Sequence, residues 1–179
     1  MDPDDVARAR AGDSLAFERL METRVTGMTR TAMAILGRED EARDAVQETL
    51  VAAWRSVGSL RDDAAFDPWL TRILVNRCRR GLRRFGLARV REIPMEAVSA
   101  ADEPRLSDPA DEVVDRRALE RAFERLSVDE RTLLVLHHLD QRSVAWIAGA
   151  LGIPEGTAKS RLHAARRALE RSLAREAAR

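Results

Sequence analysis

The chain has 179 residues, of which 45% are hydrophobic, 34% charged and 4% aromatic, with no tyrosine and a formal net charge of +1. That length suits one larger domain or two small ones, and the core must be built from Leu, Val and Ala. The one cysteine, Cys78, excludes an intramolecular disulfide and fits a reducing cytoplasm. No apolar stretch approaches the ~20 residues needed to span a bilayer, and the charged start MDPDDVARARAGD has no secretory pattern.

Charge is distributed unevenly. Residues 1–60 are net −3, residues 61–91 net +6 with nine Arg against three Asp, and residues 92–115 net −7 with one Arg against eight acids. Residues 116–140 balance, and residues 141–179 are net +5. Two basic blocks flank an acidic connector, a pattern that fits two nucleic-acid contact surfaces as well as two solvated helix faces.

In chain order, Leu15, Leu20, Val25, Met28, Ala32 and Ile35 fall at helical spacing, so a helix is expected over 14–36. Asp13 or Ser14 can cap its start, and Gly37 ends it. A second helix is expected over 40–57, with Ala42, Val46, Thr49, Leu50, Ala53 and Val57 inward. Asp44, Gln47, Glu48 and Arg55 lie away from that stripe. Residues 59–66 read as a polar loop. Asp67, as cap, and Pro68, at the first helical position, open a helix to about Arg84. It is apolar at its start (Trp69, Leu70, Ile73, Leu74) and basic at its end (Arg72, Arg77, Arg79, Arg80, Arg83, Arg84).

Residues 86–108 lose periodicity, and Pro94, Pro104 and Pro109 among many acids mark a flexible linker. Ser107 or Asp108 before Pro109 starts another helix, to about Arg125. Ser127-Val-Asp-Glu130 is a capping box for the next, which ends near Leu139. Two more follow over about 143–151 and 154–173. No strand alternation appears, so the fold is expected to be all-α: two small helical domains, 1–85 and 112–179, joined by the acidic linker 86–111.

The most specific segment runs from Ser143 to Thr157. A short helix, then Gly152-Ile153-Pro154, then a long helix make a helix-turn-helix layout, with Gly152 suited to a positive φ and Ala148 small where helices cross. Ile147, Leu151 and Ile153 are expected to form the small core. In the long helix Ala158, Leu162, Ala165, Leu169 and Leu173 form one apolar stripe. Ser160, His163, Ala164, Arg167 and Arg171 lie opposite, with Thr157 and Lys159 on the flanks. A recognition helix needs this division, one face held by the domain and the other free for a major groove. Arg, Lys, Ser and Thr address base edges and phosphates.

His137, His138, His163 and Cys78 lack metal-ligand spacing. Adjacent in sequence, His137 and His138 are expected on different helix sides. No nucleophile elbow, phosphate loop or paired-carboxylate motif is present. The expectation is therefore no enzyme, no cofactor and no metal.

Leu126-Ser-Val-Asp-Glu-Arg, Val135-Leu-His-His-Leu-Asp, Ile147-Ala-Gly-Ala-Leu-Gly-Ile-Pro-Glu-Gly-Thr and Lys159-Ser-Arg-Leu-His-Ala-Ala-Arg resemble the promoter-reading domain of extracytoplasmic-function (ECF) sigma factors. A luminescence-type response regulator domain shares part of this pattern. Asp44-Ala-Val-Gln-Glu-Thr-Leu-Val-Ala-Ala-Trp54 resembles the sigma family's polymerase-binding helix, and Trp69-Leu-Thr-Arg-Ile-Leu-Val-Asn76 resembles its helix reading the melting element.

The resemblance implies a sigma factor that binds core RNA polymerase and directs promoter-specific initiation in the bacterial cytoplasm. It implies polymerase contacts at Asp44, Gln47 and Glu48. It also implies −10 single-strand contacts at Arg61, Arg72, Asn76, Arg77, Arg79 and Arg80, with an extruded base held by the loop 59–66. The −35 duplex contacts it implies are His137, Thr157, Lys159, Ser160, His163 and Arg167. An anti-sigma partner and a linker threading the polymerase channel are further implications. Arg80 stands where the family often has an acid, His137 where Arg is common, and Ala164 replaces a longer side chain in some relatives. The competing reading is a stand-alone helix-turn-helix regulator, which leaves the 38–84 pattern without a purpose. An adaptor or scaffold is a third reading.

Overall fold

The computed structural model describes residues 4–84 and 116–178, and every regular element among them is helical. The linker 86–111 and the helix start expected at Ser107 to Pro109 lie outside the described residues.

The N-terminal half holds helices α1 (Asp5–Arg10), α2 (Ser14–Leu36), α3 (Glu39–Ser56) and α4 (Phe66–Arg84). Helix α1 has no counterpart in the sequence reading, because its six residues are too few to display a period. Asp13 caps α2 by accepting from the backbone N–H groups of Leu15 and Ala16 at 3.0 and 3.1 Å. The Ala16 N–H, with Arg8 adding to it, holds the Asp13 carboxyl below the usual carboxylate range. Gly37, at φ 75°, closes the helix by donating to the Met33 carbonyl at 2.8 Å.

Leu15 does not join the core and is 63% exposed. At about 100° per residue it stands roughly 140° around the helix from buried Leu20. In α3 the expected stripe is buried at Ala42, Val46, Thr49 and Ala53, continues into Val57, and is half-buried at Leu50.

The segment after α3 differs from a polar loop. Two 3-10 turns, Val57–Ser59 and Asp63–Ala65, lead directly into α4, and Phe66 is a core residue at 2% exposure. Asp67 is not the cap; it lies inside the first turn and accepts from Arg24 Nε at 2.7 Å. Burying Phe66 starts the helix before Asp67, and the Arg24 guanidinium, 5.0 Å over the Phe66 ring, claims the carboxylate. Asp62 does the local capping by accepting from the Ala64 N–H at 3.0 Å.

The C-terminal half holds α5 (Arg116–Glu124), α6 (Val128–Leu134) running into a π turn (Val135–Leu139), α7 (Val144–Leu151) and α8 (Glu155–Ala177). The capping box forms: the Ser127 hydroxyl accepts from the Glu130 N–H at 3.2 Å, and the Glu130 carboxylate accepts from the Ser127 N–H at 2.7 Å. Near the end of α8, Glu176 is buried and paired with both Arg121 of α5, at 2.6 Å, and Arg125 just after it.

The halves are docked on one another. Val135 belongs to the core of α2, α3 and α4, and Phe123 packs against both cores. Helix α7 lies on α4, while α6 and the π turn lie on α2. Polar contacts cross the junction. Arg131 Nη1 donates to the Ile35 carbonyl at 2.9 Å, the Thr31 hydroxyl donates to Asp140 at 2.8 Å, and Arg79 Nε donates to Asp129 at 2.7 Å. Burial at this junction lowers the pKa of Arg131.

Candidate nucleic-acid interface

The helix-turn-helix is built locally by its caps. Ser143 accepts from the Trp146 N–H at 3.2 Å to start α7, and Gly152 turns the chain at φ 68°. Ile147, Ala148 and Ala150 are buried on one side of the turn, and Ala158, Leu162 and Ala165 on the other. Leu151 and Ile153, expected in this core, are only half-buried, as are Leu169 and Leu173.

The outward face of α8 carries Lys159, Ser160 and Arg167, all exposed, with Thr157 and His163 half-buried beside them. Lys159 and Arg167 have no hydrogen-bond or ion-pair partner among the described residues. The Ser160 hydroxyl donates to the Thr157 carbonyl at 3.1 Å. Arg161, directly before the core residue Leu162, is exposed as well on the flank of this face.

His137 Nδ1 is 3.0 Å from the Arg142 carbonyl. A carbonyl only accepts, so in this contact Nδ1 is the donor. The two adjacent histidines do not point apart: their ring centroids are 4.8 Å apart, edge to face. The π turn they occupy spaces successive side chains differently from an α-helical turn. Arg166 Nε donates to His138 Nε2 at 3.3 Å. Burial, then the charges of Arg166 and His137, lower the His138 pKa.

On α4, Asn76 and Arg80 are exposed, and Arg61 is exposed in the preceding segment. The other arginines have protein partners. Arg72 donates to the Ala150 and Gly149 carbonyls at 2.8 and 2.7 Å. Arg77 contacts Glu48 at 3.4 Å. Arg79 donates to Asp129 at 2.7 Å and to the Asn76 side-chain oxygen at 3.3 Å. Trp69 is packed against the core with its ring 5.6 Å from Phe66, which makes it a packing residue rather than a stacking platform. Cys78 is buried in the same helix, and burial pushes its thiol up to about 12.

On α3, Asp44 and Gln47 are exposed one turn apart, whereas Glu48 is half-buried against Arg77. An apolar surface adjoins them that the sequence reading missed. Val51 is 51% and Trp54 42% exposed, Trp54 packs 5.1 Å from Phe17, and Leu15 also stands free. A shallow groove of about 350 Å³ nearby is lined by Phe17, Glu18, Met21, Glu22, Val25 and Leu50. Gln47, Val51 and Trp54 are spaced i, i+4, i+7, a helical face that could have been read opposite the core stripe.

Residues 20–86 match the Sigma-70 region 2 family model, and residues 116–169 match the Sigma-70, region 4 model. The chain is 37% identical over 164 residues to the ECF RNA polymerase sigma factor SigM of Mycobacterium tuberculosis, covering 91% of this chain and 80% of that relative. It is 30% identical over 154 residues to the RNA polymerase sigma-E factor of Streptomyces antibioticus, with 86% and 82% covered. Among solved structures it is similar to CnrH in complex with the cytosolic domain of CnrY, at TM-score 0.67 and 25% identity over 96% of each chain. It is also similar to the sigma factor RpoE in complex with the anti-sigma factor NepR from Bartonella quintana, at TM-score 0.63 and 26% identity, with 88% and 96% covered.

Proposed function

Since the chain belongs to the ECF RNA polymerase sigma factor family, a family of transcription initiation factors, we propose a division of its promoter work between two modules. Residues 1–85 dock core RNA polymerase and open the −10 element. Residues 112–179 read the −35 element as duplex, and the acidic segment 86–111 joins them and occupies the polymerase channel. The carrying observation is the divided helix α8, with a buried Ala158-Leu162-Ala165 stripe against an outward face of unpartnered Lys159 and Arg167.

Polymerase docks on Asp44, Gln47 and Glu48, with Val51 and Trp54 supplying apolar area beside them. The segment 59–66, with Arg61, then receives a base extruded from the −10 strand. Extrusion costs a few kcal/mol, which stacking and hydrogen bonds must return. Asn76 pairs with a base edge, having both a donor and an acceptor on one planar group. Arg72, Arg77, Arg79 and Arg80 hold phosphates, which fix register without reading sequence. In the C-terminal module Thr157, Lys159, Ser160, His163 and Arg167 enter the major groove, the N–H groups at the start of α8 receive a phosphate, and His137 supports the backbone.

The protein has no catalytic step and no cofactor of its own; it redirects the polymerase's chemistry within the cytoplasm. An anti-sigma protein completes the partner set, by analogy with RpoE, solved in complex with the anti-sigma factor NepR, and with CnrH, solved in complex with the cytosolic domain of CnrY. Reconstituted transcription tests the reading. Core polymerase plus this protein should initiate from a restricted set of promoters, and failure of core polymerase to gain promoter specificity would refute it.

A further inference from the structure

We propose that Arg10 of α1 is a positioning residue for −10 recognition: by pairing with Asp63 it holds the segment 59–66 in the shape that receives the extruded base. The proposal rests on the base-receiving role given to that segment above.

The segment has little regular structure of its own to hold it. Two short 3-10 turns, Val57–Ser59 and Asp63–Ala65, mark its course, and the hydrogen bonds of such turns have poorer geometry than those of an α-helix. Its shape therefore depends on what it packs against. Helix α1 supplies that support. Val6 and Ala9, three residues apart on one face, are buried in the same core as Val57 and Leu60. The backbones also pass close together, since a Cβ added at Gly58 would stand 3.5 Å from the Arg10 carbonyl oxygen. Arg10 then reaches the second turn, where its Nη1 donates to Asp63 Oδ1 at 2.5 Å across 53 residues of sequence. Helix α1 is itself anchored on α2, with Arg19 Nη2 donating to buried Asp5 at 2.6 Å.

The pairing decides what the segment turns outward. Asp62 accepts from the Ala64 N–H at 3.0 Å, Asp63 accepts from Arg10, and Asp67, just beyond, accepts from Arg24 at 2.7 Å. Arg61 is exposed and has no hydrogen-bond or ion-pair partner among the described residues. An incoming strand therefore meets an uncommitted cation, while the Asp63 carboxylate, which would repel its phosphates, is neutralised by Arg10. The two paired side chains are 32% and 40% exposed. An ion pair so open to water adds little to stability. The contribution of Arg10 is thus to the geometry and charge of the segment more than to the persistence of the fold, and the two roles separate by experiment.

The test uses the full chain assembled with core RNA polymerase. Its ligands are fluorescent single strands of the −10 element of a promoter from which it initiates, each position carrying each of the four bases in turn. At the position of strongest preference the wild type should separate best from worst base by about tenfold or more. Arg10→Ala should erase most of that separation. Its −35 duplex affinity and polymerase affinity should stay within about twofold, and its thermal midpoint within about 3 °C. Asp63→Asn, at a half-exposed turn position, should lose the same preference without touching α1, so it decides the matter if Arg10→Ala fails to fold. The exchanged pair, Arg10→Asp with Asp63→Arg, should recover the preference to within about threefold of wild type, because the coupling belongs to the pair. Full base preference in Arg10→Ala or Asp63→Asn overturns the proposal. So does an exchanged pair no better than either single variant, or a loss in Arg10→Ala shared equally by −35 and polymerase binding. A wild-type complex with no base preference at any position removes the base-receiving reading itself, and this inference with it.

Discussion

Helices α4 and α8 are both long, amphipathic and basic, yet their cations stand in opposite circumstances. On α4, Arg72, Arg77 and Arg79 are each within reach of a protein acceptor. On α8, Lys159 and Arg167 have no partner among the described residues. The two blocks looked equivalent as runs of charge. Affinity for phosphate, however, depends on what a cation must give up: Lys159 and Arg167 of α8, like Arg80 of α4, give up only water and counterions, whereas Arg72, Arg77 and Arg79 must leave a protein acceptor. On the proposed division of labour, α8 would meet duplex DNA with its contact cations free, whereas α4 would meet the melted strand with most of its cations already paired.

The sharpest way to break this comparison is to ask whether the halves are one folding unit. Phe66→Ala removes one of the largest fully buried side chains in the N-terminal core and should cost about 3–5 kcal/mol. Because Val135 of the C-terminal half shares that core, chemical denaturation followed by near-ultraviolet and far-ultraviolet signals should show both halves losing stability together. An unchanged second transition belonging to the C-terminal half would show that the docking is energetically idle.

The next pair of variants separates the two surfaces by function. Lys159→Ala should weaken −35 duplex binding by about 1–3 kcal/mol if it reads a base. If it meets only a phosphate, it should instead lower the salt dependence by roughly one counterion. Asn76→Ala should leave closed-complex formation within about twofold and slow strand opening roughly tenfold, at the cost of one base-edge contact. Permanganate reactivity and duplex binding, measured side by side, check this, and equal losses in both steps would remove the distinction between the helices.

The sequence made some of this arrangement legible and concealed the rest for physical reasons. Caps and turns are local chemistry, so Asp13, Gly37, Ser127 and Gly152 perform the roles their types suggest. The capping box is the smaller test of that point: Ser127→Ala should cost about 1 kcal/mol in thermal denaturation. The segment before α4 misled because Phe66 and Asp67 are decided by tertiary neighbours, the core and Arg24, and not by their own sequence context. The docked surface was invisible for a related reason. Arg72 binds backbone carbonyls 77 and 78 residues away, and carbonyls carry no sequence signature. The exposed Val51 and Trp54 were overlooked because attention to the core stripe of α3 leaves the opposite face read only for its charges.

Cys78 supplies the smallest expected effect and isolates α4 from redox chemistry. Its thiol is fully buried, and burial raises its pKa from the ordinary 9.0 to about 12. The thiolate is the reactive form, so at pH 8 only about one molecule in ten thousand carries it while folded. Native protein should therefore show no labelling by a thiol reagent over minutes, and mild peroxide should leave −10 binding unchanged. The linkage sign follows from the same shift. Below about pH 9 the thiol is protonated in both folded and unfolded chains and contributes no pH dependence. Between about 9 and 12 the unfolded chain loses the proton and the folded chain keeps it, so stability should fall as pH rises. Cys78→Ala should flatten that alkaline slope. Rapid labelling of the native protein near neutral pH would mean instead that α4 opens readily around Cys78 and that its burial there is not firmly held.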